Sequence, residues 1–136
     1  MALTKEQIFA AEDLPREEVE VPEWGGVVIV RGLASGERDA WEAEAIHARE
    51  KKGDPLANFR ARLVVRCSIG DDGSPLFDVS DVPRLSKKSS RAIVRIFDVA
   101  CRLSGITSDD VAELEEQEKN SVVTGGSGGS TDSPVT

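Results

Sequence analysis

The stretch that most restricts what this chain can fold into is VEVPEWGGVVIVRG, residues 19–32. From Glu18 to Val21 acidic and β-branched residues alternate, so Val19 and Val21 share one face of a strand and Glu18 and Glu20 the other. Pro22 fixes a turn backbone, and Gly25-Gly26 supply the positive φ that a reversal needs. Val27 to Val30 is an unbroken β-branched run, which predicts a strand covered on both faces and ended by Gly32. A hairpin over about 17–32 is therefore expected. Ser35 reads as the N-cap of a following helix that carries Trp41. Two strands alone are marginal in water, so the hairpin must lie on helices or pair with another chain.

Around it the pattern is helical. Thr4 and Gln7 have the spacing of a capping box, with Leu3 and Ile8 as its staple, for a short helix from Thr4 to about Glu12. In the next helix, about 35–51, Trp41, Ala45 and Ala48 make a thin stripe whose small side chains admit a close neighbour. Gly53-Asp54-Pro55 closes it. A third helix is expected over about 56–69, its main stripe being Leu56, Phe59, Leu63 and Cys67. Asp71-Asp72-Gly73 is a turn, Pro75 to Phe77 a brief extended piece, and Val79 to Leu85 at most one helical turn.

The longest apolar helix is expected over about 87–104, with Ile93, Ile96, Phe97, Ala100 and Leu103 inward. Arg91, Arg95, Asp98 and Arg102 face outward, Asp98 pairing with Arg95 or Arg102. Gly105 ends it. A last helix, about 107–118, opens on a Thr107/Asp110 box and has only Val111 and Leu114 to grip with. The Gly/Ser-rich segment over residues 120–136 cannot form a core and reads as a flexible tail; its GGSGGS also has the look of an engineered linker. The expected architecture is α+β and mainly α-helical. An N-terminal β-hairpin packs on a small helical bundle, in one domain over residues 1–119 with a disordered C-terminal tail.

Charge is uneven. Residues 1–23 carry two basic and seven acidic side chains, residues 60–102 nine and five, and residues 103–136 one and seven. A net charge of −8 disfavours non-specific nucleic-acid binding, which needs cationic surface. Acidic ends around a basic middle fit either head-to-tail contacts between copies or ends that cover the middle within one subunit. No apolar run reaches the roughly 18 residues of a membrane span. Cys67 and Cys101 lie in apolar runs without CxxC spacing, which favours buried thiols over a pair.

Catalytic signals are weak. His47 stands alone on a charged helical turn without a Cys or Ser motif to pair with. Asp71, Asp72, Ser74 and Asp78 lack the pattern of a calcium loop, and neither glycine cluster matches a nucleotide fingerprint. The expectation is no enzyme, no cofactor and no metal. What remains is surface for partners: Trp24 at the hairpin tip, which either meets a partner or tucks back on the sheet, with Val28, Val30, Trp41, Arg91, Arg95, Arg102, Val111 and Leu114 as further candidate contacts.

Taken in order, LTKEQIFAAEDLPREEVEVPEWGG, VVIVRGL, SGERDAWE, NFRARLVVRC, DDGSPLF and IVRIFDVACRLSGIT followed by SDDVAELE resemble the tail assembly chaperones of long-tailed, siphovirus-like bacteriophages. The resemblance spans about residues 1–119 and rests on element order, since the family has no invariant catalytic signature. It implies a homo-oligomeric factor in the host cytoplasm, not retained in the mature virion. Such a factor binds the long helical tape measure protein, keeps it soluble and yields to the tail tube protein as the tube polymerises. The family also commonly makes a longer, frameshifted form of itself. Glu118-Lys119-Asn120, if encoded GAA AAA AAC, would hold a slippery heptamer at the edge of the tail. Two rival readings are a structural virion part, such as a tail-completion or connector subunit, and an acidic regulator that binds one basic globular partner.

Overall fold

The computed structural model describes residues 1–48 and 58–115. Its elements in chain order are α1 (Lys5–Ala10), β1 (Arg16–Val21), β2 (Gly26–Arg31), α2 (Ser35–Ala48), α3 (Phe59–Cys67), β3 (Ser68–Ile69), α4 (Val82–Leu85) and α5 (Ser90–Ser104). A further helix, α6, is described over residues 108–115. The α+β expectation holds, with a small antiparallel sheet in the order β1-β2-β3 lying on the helices.

β1 and β2 pair with Val19 opposite Val28 and Val21 opposite Gly26. Val19, Val21, Val28 and Val30 are buried, whereas Glu18 and Glu20 face water. Between the strands, Pro22–Trp24 forms a 3-10 turn that ends at Gly25 with φ 77°. The expectation that β2 is covered on both faces is corrected: Val27 is exposed and Ile29 half-buried, so the helices cover one face only. The far edge of β2 is capped instead by β3, through Ile29 with Ile69 and Val30 with Ser68.

That third strand corrects the expected helix over 56–69. α3 stops at Cys67, and Ser68 takes an extended backbone with φ −84° and ψ 130°. Ile69, 2% exposed, is worth more on the sheet edge than in one more helical turn, because β2 otherwise leaves its backbone groups unpaired. The chain then reverses at Gly73 (φ 85°), and the Leu76 N–H donates to the Ser68 carbonyl at 3.0 Å.

Two helix starts differ from expectation. Ser35 is already helical; Glu37 reaches back to accept from the Ala34 N–H at 2.8 Å, held there by Arg31 at the end of β2 at 2.9 and 3.0 Å. α5 begins at Ser90 rather than 87, because the Ser89 hydroxyl accepts from the Ala92 N–H and fixes the cap. The α1 capping box is present in both directions, but Leu3 and Ile8 are both exposed and staple nothing to the domain. The expected ends at 51 and 118, the Gly53–Pro55 breaker and the tail over 120–136 lie outside the described residues.

At the centre Trp41, Phe59 and Phe97 form a ring cluster with centroids 5.0, 6.0 and 6.4 Å apart. The Trp41 indole N–H donates to the Phe59 carbonyl at 3.4 Å, which satisfies its polar end inside the core. Ala45 beside it is fully buried and lets α3 approach, as its size implies. The buried face of α5 is Ala92, Ile93, Ile96, Phe97, Ala100 and Cys101. β2 meets α5 at Gly32, where backbone touches backbone.

Candidate functional site

Charge pairs lock the sheet and α6 onto the bundle. Glu17 lies on the same face of β1 as Val19 and Val21, so it looks toward α5, where Arg102 donates to both its carboxylate oxygens at 2.8 Å. At the other end of the strand, Arg95 grips Glu23 with two bonds of 2.7 and 3.1 Å. That hydrogen bonding, helped by the charges of Arg95 and Arg91, holds the Glu23 carboxyl down at about 2 instead of the ordinary 4.5. Asp98 takes neither role expected of it, because its two arginines are engaged across the fold. Arg38 pairs with Asp110, and Arg60 with Glu115, so α6 is tied to α2 and α3. Glu17, Glu23 and Glu115 of the acidic end segments thus pair within one subunit with Arg102, Arg95 and Arg60 of the basic middle.

α6 begins with the expected box: Asp110 N–H donates to Thr107 Oγ1 and Thr107 N–H to Asp110, both at 3.0 Å. Val111 and Leu114 are half-buried against the core. Where α6 crosses α5 the two leave an open groove of about 420 Å³. Val94, Phe97, Cys101, Ile106, Val111 and Ala112 supply its apolar lining, with Arg60, Asp98, Arg102 and Glu115 at the rim. The Arg60 guanidinium lies 5.5 Å from the centre of the Phe97 ring. Val94 is the exposed apolar side chain on this face of α5. An apolar channel with charges of both signs along its edge suits the apolar stripe of another helix.

A second groove, about 550 Å³, opens beneath the hairpin tip. Trp24, Phe77 and Leu85 line it, and Asp81, Arg84 and Lys88 stand around it. Trp24 is half-buried against the core, as the tucked-back reading expects, and also forms a wall of this groove.

The other expected contacts separate into two groups. Arg91, Arg95 and Arg102 lie on the outer face of α5, Arg91 exposed and the other two engaged with acids of the hairpin. Val28, Val30 and Trp41 are corrected to core positions: Val30 and Trp41 are fully enclosed and Val28 nearly so, and no partner reaches them while the domain is folded. Phe77 and Leu85 were missed. The available signal was a Phe standing among Asp, Gly, Ser and Pro, where a large aromatic is out of place in a mere turn.

Both cysteines are free and buried, and burial pushes each thiol up to about 12. They are unreactive core residues at neutral pH. His47 sits exposed near the end of α2. Among the described residues no group of three His, Cys, Asp or Glu side chains is placed to hold a metal ion. No described helix is long and apolar enough to cross a membrane.

The sequence matches the model of the phage tail assembly chaperone family over residues 2–120. The chain belongs to that family. Among solved structures, that of the bacteriophage HK97 tail assembly chaperone has the same fold. It aligns with a TM-score of 0.53 at 20% identity, over 72% of this chain and 90% of that one. No curated protein matches the chain closely enough to add a relative. Tail assembly chaperones are assembly factors rather than a known enzyme class, in keeping with a molecule whose conspicuous features are grooves.

Proposed function

We propose that this tail assembly chaperone binds the tape measure protein, keeps it soluble and promotes polymerisation of the tail tube around it. In this reading it acts in the host cytoplasm, many copies lie along one extended partner, and none stays in the mature virion. The tail tube protein displaces it, and a longer frameshifted form of the chain joins the same assembly. The observation that carries the reading is the apolar groove between α5 and α6, in a chain of this family. The groove has an apolar lining, an exposed Val94 beside the half-buried Val111, and a rim of mixed charge that can fix direction. Repeated short grips of this kind bind weakly one at a time and strongly together, which allows stepwise release. The slippery heptamer expected at Glu118-Lys119-Asn120 lies outside the described residues.

The test is co-expression of the full chain with a tape measure fragment, followed by size-exclusion chromatography. The wild-type chain is expected to co-elute with the fragment, and Val94→Asp to weaken the complex at least tenfold without unfolding the domain. A fragment that elutes alone beside wild-type chain defeats the proposal. Equal retention by the Val94→Asp variant would move the binding surface off this groove.

A further inference from the structure

The sheet has two outer edges, and the described chain closes one of them. On the β3 side it folds back on itself: the Leu76 N–H donates to the Ser68 carbonyl at 3.0 Å and the Gly70 N–H to the Ser74 carbonyl at 2.8 Å, with Ile69 bridged to Pro75. On the β1 side, among the described residues, the only strand neighbour is β2. The Gly32 N–H bonds the Pro15 carbonyl, so in this register Pro15, Glu17, Val19 and Val21 turn their backbone groups toward β2. Arg16, Glu18 and Glu20 turn theirs outward, about 7 Å apart along the strand, and no described residue bonds them there.

Folded proteins blunt an open edge with a bulge, an internal proline or a very short strand. β1 has none of these. Its pairing with β2 runs unbroken over six residues, and Pro15 and Pro22 stand just outside it at either end. What marks the edge is charge. Glu17 and Glu23 are neutralised by Arg102 and Arg95. Glu18 and Glu20 are exposed on the face away from the helices, with no ion pair among the described residues. Like charges directly opposite each other repel across a strand pair, so two glutamates on one face oppose a second β1 and favour a cationic strand.

We propose that the outer edge of β1 receives an extended segment of a different protein, one that carries lysine or arginine at every second position. The segment adds to the sheet as a fourth strand. Its backbone bonds to the outward groups of Arg16, Glu18 and Glu20, and its cations lie beside the Glu18 and Glu20 carboxylates. The two prolines that bracket β1 limit the docked length to about the six residues of the strand itself. The α5/α6 groove suits a helix and this edge a strand, so the inference does not rest on the tape measure reading. Its test needs no tape measure protein, and either idea can fail alone.

The experiment is fluorescence anisotropy of a labelled, end-capped peptide of alternating lysine and valine, titrated with the purified full chain. Binding is expected to be at least tenfold tighter than for the matching glutamate and valine peptide. N-methylation of one alternate set of the peptide's amides should weaken it at least tenfold, and methylation of the other set should be tolerated, because one side of the added strand faces β1. Glu18→Pro removes an outward N–H and sets a ring in the partner's path, yet takes no bond from the β1–β2 ladder. It should keep the circular dichroism of wild type and lose the peptide at least tenfold. Glu18→Lys with Glu20→Lys, both exposed, should reverse the preference toward the glutamate peptide. Equal binding by both methylated peptides would mean ionic contact without strand pairing and overturn the proposal. So would undiminished binding by a folded Glu18→Pro chain, or a wild-type chain that binds no peptide because a second copy holds the edge.

Discussion

Gly32→Ala isolates the junction on which the orientation of the hairpin depends. A methyl group at Gly32 would sit 2.5 Å from the Leu103 carbonyl oxygen, 3.1 Å from its carbon and 3.3 Å from the Pro15 ring. Non-bonded heavy atoms rest about 3.5 Å apart, so β2 and the end of α5 must separate by roughly 1 Å. None of the obstructing atoms belongs to a flexible side chain, and the clash cannot be relieved by a rotamer change. Overpacking of this kind costs about 1–3 kcal/mol. Separation also stretches the Leu33 N–H bond to Ser104 Oγ, now 2.9 Å, which adds about 1 kcal/mol if it breaks. Against that, replacing glycine narrows the unfolded ensemble and returns about 0.4–1 kcal/mol. The expected net loss is about 1–3 kcal/mol, read as a lower urea midpoint at unchanged slope and a melting temperature down by roughly 4–12 °C. Gly36→Ala is the control, because nothing lies within 4 Å of the added methyl in the first turn of α2. It should be neutral or stabilising. A Gly32→Ala protein within about 0.5 kcal/mol of wild type would refute the contact between strand end and helix.

Acid should loosen the hairpin tip. The Glu23 carboxyl titrates at about 2 when folded against an ordinary 4.5, so the folded state binds its proton more weakly. Its contribution is complete above 4.5 and disappears as pH falls from 4.5 toward 2. An NMR titration should place the Glu23 midpoint near 2, and Glu23→Gln should flatten the acid limb of stability; a midpoint at 4.5 would deny the Arg95 bond. Both thiols, raised to about 12, should resist a thiol reagent at pH 8 in the native protein and react together on unfolding. Rapid labelling of either in native protein contradicts their burial. Proteomics should find this chain in phage-producing cells and not in purified virions. Peptides joining the region of Lys119 to the −1 reading frame should mark the longer product, and a chain abundant in virions would instead favour the structural-subunit reading.

Where one local signal decides the conformation, the sequence was enough. The alternation of Glu18 to Val21 and the Pro22–Gly25 turn announced the hairpin, and the boxes at Thr4 and Thr107 announced two helix starts. Errors arose where two local signals agreed and a distant one prevailed. The helical pattern of α3 runs on through Ile69, yet the edge of β2, some forty positions earlier, draws Ser68 and Ile69 into the sheet. Arg95 and Arg102 each have Asp98 within reach on their own helix, but the bonds go to Glu23 and Glu17, 72 and 85 positions away. The same holds for function. Val28, Val30 and Trp41 were conspicuous because they are large and apolar, and that property put them in the core. Val111 and Leu114 are the sparse grip of a weakly anchored helix, and Val111 borders the α5/α6 groove. Phe77 and Leu85 became visible as a groove only once Trp24 was brought beside them.

The most direct measurement of the central claim is the mass and solubility of a tape measure protein made with and without this chain. Light scattering on the purified material gives both the presence of a complex and the number of copies in it. The account predicts that the tape measure protein precipitates alone. With the chain present it should stay in solution as a complex containing several copies for each tape measure molecule. A tape measure protein that is equally soluble without the chain, or that never appears in a complex with it, would contradict the account.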